Sequence, residues 1–392
     1  MDDDSPVIYG LESQGRAISA RTAETDEIHY FVGTQSLRSD NQVHLLEFDD
    51  ETHYIEKKVF GHPNGEIWQL SCSPKDRDLL STSHSQVKRS KLEYGATLWQ
   101  IPDSGEEGDG IATNRLPSTG SASGTHLKNV MDLEGHKGPI KSVLWHPGGD
   151  NQIVSIDDHT IHLWDIDSAK VLISVRTFDF SFLHQVIDTA SLESKTLQSF
   201  YTGKWNPHQN CHQVMTAVET SLKGWDLRTM KPCWDIEHAH QQQIRDLDFN
   251  PNRQYYFVTC GDDCSIRFWD VRNTSAPLQI RKQHSHWIWC VCYNHFHDQL
   301  VLSSSSDSNV ILCSIPSLSS EPLGHIDDDE EKESSPVSPP KDCLVSTYDE
   351  HEDSVYSVAW STADPWIFAS LSYDGRVVIN HVPRKEKFKI LL

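Results

Sequence analysis

The sequence predicts an all-β fold, a seven-bladed β-propeller that occupies residues 1–392 as a single domain. Strand-like runs bounded by turn residues recur along the chain, and the best-preserved copies are spaced 44 residues apart. The 12 Trp, 13 Phe and 11 Tyr are enough to fill a hydrophobic core. Recurrence at a fixed spacing of this length is typical of repeat folds that close into a ring.

The clearest copy of the repeat begins at His240. It contains three alternating apolar and polar runs and closes on a Trp-Asp pair, at 244–251, 255–260, 265–268 and 269–270. Alternation with a period of two predicts strands, and the turn residues between the runs predict hairpins. One copy therefore predicts one small antiparallel sheet, which is a blade of the propeller.

Six further copies follow the same order, at about 30–46, 66–99, 136–165, 204–226, 286–313 and 351–380. The first is the most eroded. Trp225 to Trp269 and Trp269 to Cys313 are each 44 residues apart, within the roughly 40–45 residues of a WD repeat. The pattern resembles the WD-repeat family, which implies a closed ring of seven blades.

That resemblance also implies a polar network in each blade. An Asp stands six residues before the Trp position at Asp158/Trp164, Asp263/Trp269, Asp307/Cys313 and Asp374/Asn380. In the family this Asp accepts a hydrogen bond from the repeat's His, which is tied in turn to a Ser or Thr and the Trp; His286 is assigned as that His in the sixth copy. We expect blades with complete networks to be rigid, since such networks stabilise only when every member is bonded.

The termini are predicted to be structural. Open sheet edges favour aggregation, so the ring must close. We expect Val7-Ile8-Tyr9 to supply the fourth strand of the last blade. The terminal Ile390-Leu391-Leu392 either packs against the ring or binds a partner.

Three segments interrupt the repeat. Residues 102–124 are predicted to be a flexible insertion, residues 171–195 a more apolar insertion, and residues 317–342 an acidic, disordered insertion. The last contains an Asp/Glu run at 327–331 and Ser-Pro dipeptides at Ser335 and Ser338, which are candidate phosphorylation sites.

Charge and composition exclude several functions. A net charge of −23 argues against binding to nucleic acid and against direct adhesion to an anionic membrane. No apolar stretch reaches about 18 residues, so direct membrane insertion is not expected. The acidic start is unlike a signal peptide, and nine scattered Cys are typical of reduced thiols in the cytoplasm. We expect a monomer.

No enzyme or cofactor motif stands out. The chain contains neither a phosphate-binding loop nor a nucleophile elbow. A His group at 284, 286, 295 and 297 falls on repeat positions and turns, so no metal site is expected. The function predicted is non-catalytic, with no cofactor.

Candidate partner-binding residues are expected in the loops before each first strand, because a rigid scaffold positions such loops for binding. They are Trp68, Lys137, Gln242, Trp287, Glu352 and Asp353. An exposed Trp would anchor a protein partner. The alternative for Trp68, Trp287 and Trp289 is a place in the core.

Two copies end in Trp-Asp-x-Arg, which places Arg228 and Arg272 at equivalent positions. This box resembles one that docks some propellers onto the adaptor of cullin-4 ubiquitin ligases. The alternative function is therefore a substrate receptor of such a ligase. Arg at this position also occurs for local packing.

A closer resemblance covers nearly the whole chain. The stretches Met1–Glu12, Phe31–Leu37, Arg245–Asp270, His284–Leu302 and Tyr348–Val382 resemble the family of EARP-and-GARP-complex-interacting proteins. The resemblance implies an adaptor that binds the endosome-associated recycling and Golgi-associated retrograde tethering complexes. It further implies roles in endosomal recycling, retrograde transport to the trans-Golgi network and dense-core vesicle maturation, with a cytoplasmic protein reaching these membranes through its partners. It supplies no binding motif.

Overall fold

The computed structural model describes residues 5–37, 41–102, 125–176, 199–229, 231–320 and 341–392. Within these residues, seven antiparallel sheets form seven blades. The innermost strand of each blade contacts the innermost strand of the next, and that of the seventh contacts that of the first. The predicted seven-bladed propeller is therefore confirmed.

Blades 1 to 4 follow one another along the chain, each with four strands from the centre outward. A short parallel strand, Thr125–His126, adds to the outer edge of blade 1. The strands are Gly15–Ala20, Ile28–Thr34, Gln42–Asp49 and Tyr54–Gly61 in blade 1; Glu66–Cys72, Leu79–Lys88, Lys91–Gln100 and Lys128–Asp132 in blade 2; Ser142–Trp145, Gln152–Ile156, Thr160–Asp165 and Lys170–Arg176 in blade 3; and Phe200–Trp205, Gln213–Val218, Ser221–Asp226 and Lys231–Ile236 in blade 4.

Blades 5 to 7 have the same order, except that the outermost strand of blade 7 comes from the N-terminal end. Within the described ranges, two short 3₁₀ segments, Gln209–Cys211 and Pro316–Leu318, lie between strands. The strands are Ile244–Phe249, Tyr256–Gly261, Ile266–Asp270 and Gln279–Arg281 in blade 5; Ile288–Tyr293, Leu300–Ser305, Val310–Ser314 and Cys343–Tyr348 in blade 6; and Val355–Trp360, Ile367–Ser372, Arg376–His381 and Val7–Gly10 in blade 7.

The N-terminal strand closes the ring as predicted. Val7 pairs with Ile379 and Tyr9 with Val377. The Tyr9 hydroxyl also lies 2.9 Å from Nδ1 of His44 in blade 1. The strand thus joins the last blade to the first, and one sheet combines the first described strand with the last three strands of the chain.

The hydrophobic core lies between neighbouring blades. Second strands such as Leu300–Ser305 and Ile367–Ser372 are buried along their whole length, because both faces of each blade are covered by its neighbours. This explains why these strands lack the polar alternation of a one-sided sheet. Phe257 stacks on Trp269 at a ring-centroid distance of 6.3 Å.

The predicted insertions fall mainly outside the described residues. The segment 171–195 begins within the outermost strand of blade 3, Lys170–Arg176. The segment 317–342 begins at the 3₁₀ segment Pro316–Leu318 and ends at Asp342, whose carboxylate accepts hydrogen bonds from Ser317. Residues 103–124, 177–198 and 321–340 lie outside the described part of the chain.

The chain ends in one α-helix, Arg384–Leu391. Ile390 packs against the core between blades 6 and 7, and the ammonium of Lys387 lies 5.5 Å from the centre of the Trp366 ring. Leu391 and Leu392 are exposed. Among the described residues, no helix combines the length and apolar character needed to cross a membrane.

Candidate protein-docking site at the channel mouth

Six innermost strands carry a β-bulge at the same place, just after they begin. The register shifts span Gly15/Ala17, Ile67/Gln69, Phe200/Thr202, Ile244/Asp246, Ile288/Cys290 and Val355/Ser357. In blade 3, Lys141 holds the corresponding position immediately before the strand. A bulge leaves one residue out of the ladder and re-aims its side chain. Each blade therefore presents one side chain at an equivalent point.

These side chains line a cavity of about 490 Å³ at one end of the central channel. We call the set the channel-mouth ring; it comprises Arg16, Trp68, Lys141, Tyr201, Arg245, Trp289 and Tyr356. Because the starts of all seven innermost strands meet at this cavity, the strands all begin on the same face of the propeller. We call it the upper face and the opposite one the lower face.

Cations and aromatic rings contact one another around the channel mouth. The Arg16 guanidinium carbon lies 4.5 Å from the ring centre of Tyr356 and 5.3 Å from those of Trp68 and Trp289. The Arg245 guanidinium carbon lies 4.5 Å from the Trp289 ring centre and 5.1 Å from that of Tyr201. Each such contact is worth about 0.5–2 kcal/mol, and more as water is excluded. The ring is thus a preorganised set of interlocked side chains.

Two of the three ring cations have carboxylate partners. Lys141 Nζ lies 3.0 Å from an Asp158 oxygen, and Arg245 bonds both oxygens of Asp262, at 2.6 and 2.7 Å. Among the described residues, no carboxylate forms an ion pair with Arg16. Burial lowers the pKa of Arg16 below its ordinary value, although a guanidinium stays charged in proteins. Arg16 is therefore a half-buried cation without an anionic partner in the described chain.

The two predicted Trp anchors both lie on the upper face. The placement of Trp68 in the loop before the first strand of blade 2 was wrong: it lies inside that strand, as its bulged residue, and is 38% exposed. Its indole N–H donates to the Ser85 hydroxyl at 2.8 Å. Trp287 precedes the first strand of blade 6, is 41% exposed, and lies 5.6 Å from the Arg245 guanidinium. Trp68 belongs to the channel-mouth ring and Trp287 borders it, and both present part of the indole to solvent.

The other predicted contacts lie in loops of the same face. Lys137 and Gln242 are exposed. Glu352 is exposed and pairs with Arg376 at 2.9 Å, whereas Asp353 is half-buried and accepts the backbone N–H of Ser354. The structure places these residues on the upper face, outside the lining of the cavity, and their role in binding stays a prediction.

Sequence reasoning missed most of the channel-mouth ring, namely Arg16, Lys141, Tyr201, Arg245, Trp289 as a ring member, and Tyr356. The sequence signal for these residues is one position of the repeat, the residue that follows the first buried residue of each copy, as in Ile67-Trp68 and Ile244-Arg245. Aligning the copies on that residue collects three cations and four aromatic residues in one column.

Blade 2 carries a long hairpin beside the ring. Its second and third strands have ten residues each, and their turn lies on the upper face because the second strand runs back toward it. Tyr94 lines the cavity and is 41% exposed, while Val87 and Leu92 are 66% and 45% exposed. The hairpin therefore places apolar side chains next to the channel mouth, together with the exposed Lys88, Arg89 and Lys91 of its tip.

The polar network is complete in blades 3 and 5. In blade 5, His240 bonds Asp263 at 3.0 Å and the Thr259 hydroxyl at 2.7 Å, and Trp269 donates to the same hydroxyl. Burial alone would raise the pKa of Asp263, but the hydrogen bond from His240 lowers it below the ordinary range. The network ties the loop before the first strand to the turn between the second and third.

Two assignments within these networks were wrong. In blade 3, His136 bonds Asp157 at 2.9 Å, whereas Asp158 pairs with Lys141. In blade 6, His284 bonds Asp307 and lies 2.8 Å from the Ser303 hydroxyl, whereas His286 is exposed. The turn geometry selects one of two adjacent Asp residues, and the loop length selects the His; neither is visible in the sequence.

Blade 7 also departs from the expected pattern. His351 bonds the hydroxyls of Ser370 and Ser372, at 2.7 and 2.8 Å. Asp374 accepts from Ser372 and not from the His. A second Ser thus intervenes between the His and the Asp. Asn380 stands in the Trp position, so nothing equivalent to the Trp hydrogen bond is formed there.

One cluster has the composition of a metal site. Among the described residues, His136, Asp157 and His162 alone bring three suitable ligand atoms close together. Both ring nitrogens of His136 are engaged, by Asp157 and by the Ser155 hydroxyl at 2.6 Å. The cluster is accounted for by the blade network.

The two Trp-Asp-x-Arg arginines lie on the lower face, because the third strand of each blade runs parallel to the first and ends there. Arg228 Nη2 lies 2.7 Å from Asp226, and Arg272 Nη2 lies 2.7 Å from Asp270. Both side chains stay more than half exposed. Each therefore packs locally while still presenting its guanidinium to solvent.

Comparison with known proteins assigns the family. The sequence model of the EIPR1 β-propeller matches residues 3–313, and the WD domain, G-β repeat, matches residues 342–379. The chain is 48% identical to the EARP and GARP complex-interacting protein 1 of Homo sapiens and to the EARP-interacting protein homologs of Gekko japonicus and Danio rerio. Each match covers 100% of both chains. The chain therefore belongs to the EIPR1 β-propeller family, a family of non-catalytic WD-repeat interaction proteins.

Proposed function

We propose that this protein is a WD-repeat adaptor that binds the EARP and GARP tethering complexes. Full-length similarity to proteins named as interactors of these complexes supports this. In this proposal it acts as a monomer in the cytoplasm and reaches endosomes and the trans-Golgi network through its partners. There it supports endosomal recycling, retrograde transport and dense-core vesicle maturation.

The channel-mouth ring is the observation that carries the proposal. Trp, Tyr and Arg dominate the binding energy of protein interfaces, particularly in preformed pockets. The ring contains only these residue types and one Lys, held on a rigid scaffold. We therefore assign the tether-binding surface to the upper face, with Trp68 and Trp287 as anchors.

Affinity purification of the full chain with quantitative mass spectrometry tests this assignment. The wild-type protein should recover subunits of both complexes. The double variant Trp68→Ala/Trp287→Ala should recover about tenfold less or lower still, since a buried aromatic anchor contributes about 2 kcal/mol or more. Arg228→Gln/Arg272→Gln, which alters the lower face, is the matched control and should leave recovery unchanged. Undiminished recovery by the Trp variant would remove the upper face from the proposal.

The alternative function, a substrate receptor of a cullin-4 ubiquitin ligase, would use the lower face. Its support is the exposure of Arg228 and Arg272 at equivalent positions of adjacent blades. The same purification separates the two functions. For a ligase receptor, the wild type would recover the ligase adaptor and the Arg double variant would lose it, with the Trp variant unaffected.

A further inference from the structure

We propose that the channel-mouth ring binds an acidic linear peptide segment of a protein partner, and that Arg16 pairs with a carboxylate of that segment. This deepens the proposed adaptor function and rests on it for the identity of the partner. The charge balance and the shape of the cavity indicate the chemistry of the bound segment.

Arg16 has no anionic partner among the described residues. A cation withdrawn from water costs free energy unless an anion and hydrogen bonds replace the lost hydration. In the described chain, the Arg16 guanidinium lies over the rings of Trp68, Trp289 and Tyr356, with the like charge of Arg245 nearby. Its five N–H donors match a carboxylate, which can accept two of them side by side.

Aromatic rings form the walls around the Arg16 guanidinium. The rings hold the guanidinium in place and limit the access of water, which strengthens an ion pair formed there. Tyr356 lies 4.7 Å from Trp289 between ring centres, so the wall is continuous on that side. The Trp289 indole N–H is fixed by the Ser306 hydroxyl at 2.6 Å. Binding therefore needs little reorganisation of the site.

The charge balance favours a carboxylate over a phosphate. Asp158 and Asp262 neutralise the other two ring cations. Deeper in the cavity, the Asp246 carboxylate accepts the backbone N–H of Val291, and the charge of Lys204 is shared by Asp246 and Asp248, the latter at 3.8 Å. Among the described residues, Arg16 is the ring cation without a carboxylate partner, and two carboxylates facing Lys204 leave no surplus positive charge deeper in the channel. This matches a singly charged carboxylate better than a phosphate of charge about −2.

The surroundings favour an extended peptide over a free small anion. A cavity of about 490 Å³ holds more than one side chain. The blade 2 hairpin adds the exposed side chains of Val87, Leu92 and Tyr94 at its margin. An apolar residue near the acidic one would pack on this wall, while its carboxylate reaches Arg16.

Binding of synthetic peptide pools to the full-length protein tests the proposal. Each pool consists of fluorescein-labelled nonapeptides with one fixed central residue, Glu, Gln, phosphoserine or Lys, and mixed flanks. Fluorescence polarisation should show the Glu pool binding about tenfold more tightly than the Gln pool, the effect of one charge-assisted hydrogen-bonded pair. Arg16→Gln should abolish this preference, and Arg16→Lys should retain part of it.

Arg228→Gln removes the same charge on the lower face and is the matched control; it should keep the full Glu preference. Melting temperatures of all variants establish that they fold. Equal binding of the Glu and Gln pools, or a Glu preference that persists in Arg16→Gln, would overturn the proposal. Preference for phosphoserine over Glu would also overturn it, in favour of a phosphopeptide site. A Glu preference at Arg16 without recovery of tether subunits would overturn the proposed function alone.

Discussion

At the scale of single residues, one hydroxyl joins the polar network of blade 5. Thr259 is fully buried and bonds both His240 and Trp269. In blade 4, the equivalent Thr216 is equally buried and bonds Trp225. The two Thr residues thus differ in the number of buried polar groups that depend on them.

Replacing Thr259 by the isosteric Val should therefore destabilise the protein more than the same change at Thr216. Leaving a buried donor or acceptor unsatisfied costs about 1–3 kcal/mol. We expect a loss of about 2–4 kcal/mol for Thr259→Val and about half of that for Thr216→Val, measured by urea unfolding with Trp fluorescence. Equal losses would show that the His240 bond contributes nothing to stability.

Buried neutral His residues make stability depend on pH. Burial lowers the pKa of His351 from about 6.5 to about 4. Below pH 6.5 the unfolded chain binds a proton that the folded chain does not, so stability falls as the pH falls from 6.5 to 4. Each pKa unit by which the folded and unfolded chains differ corresponds to about 1.4 kcal/mol in the free energy of unfolding.

We expect the urea midpoint to fall progressively between pH 6.5 and pH 4.5, with a shallower fall in His351→Gln. Part of the dependence should remain, because burial also lowers the pKa of His62, to about 3. Unfolding curves at four pH values for both proteins measure this. An identical slope in the variant would mean that His351 is protonated in the folded protein.

At the scale of elements, the N-terminal strand closes the ring. It pairs along Arg376–His381 and packs Val7, Tyr9 and Leu11 on the core between blades 7 and 1. Without it, the third strand of blade 7 would be an open edge, and the apolar surface between the two blades would be uncovered.

Removal of residues 1–10 should lower the melting temperature by about 10 °C or more and promote aggregation, since burial of several apolar side chains is lost. Ile8→Thr is the control, because the Ile8 side chain is half exposed on the outer side of the strand; it should shift the melting temperature by no more than about 1–2 °C. Calorimetry with light scattering measures both. A truncated protein that melts like wild type would show that the ring does not need this strand.

At the scale of the whole molecule, a strongly negative protein carries a small cationic site. The net charge is −23, whereas the channel-mouth ring contributes three cations. The overall field repels anionic surfaces, and at about 0.1 M salt it is screened beyond about 10 Å. A peptide can enter the channel mouth and reach the ring. A flat anionic membrane would instead bring its negative charge close to the whole upper face.

The isolated protein should therefore not bind vesicles that contain 30% phosphatidylserine. In co-sedimentation, the pelleted fraction should equal that of a vesicle-free sample. This should hold at about 50 mM and at about 150 mM salt, below and above the concentration at which charges are screened beyond about 10 Å. Pelleting that weakens as salt rises would reveal an electrostatic membrane site and contradict the adaptor's dependence on partners.

The sequence by itself determined the architecture. Alternating runs, the 44-residue spacing and the Trp positions predicted seven blades, and Val7-Ile8-Tyr9 was correctly assigned to the closing strand. These features are local and repeat along the chain, so composition and periodicity reveal them. The resemblance to the WD-repeat family implied networks at Trp164 and Trp269; both form, but the Asp of the blade 3 network is Asp157 and not the assigned Asp158.

Only the tertiary structure decided the candidate site. Arg16, Tyr201 and Tyr356 are far apart in the chain and individually unremarked, and they meet because each occupies a bulge at the start of an innermost strand. The choice of His284 over His286 likewise depends on the path of a loop in space. A ring built from one residue per blade exists only once the ring has closed, and periodicity within a single repeat does not show what seven repeats bring together.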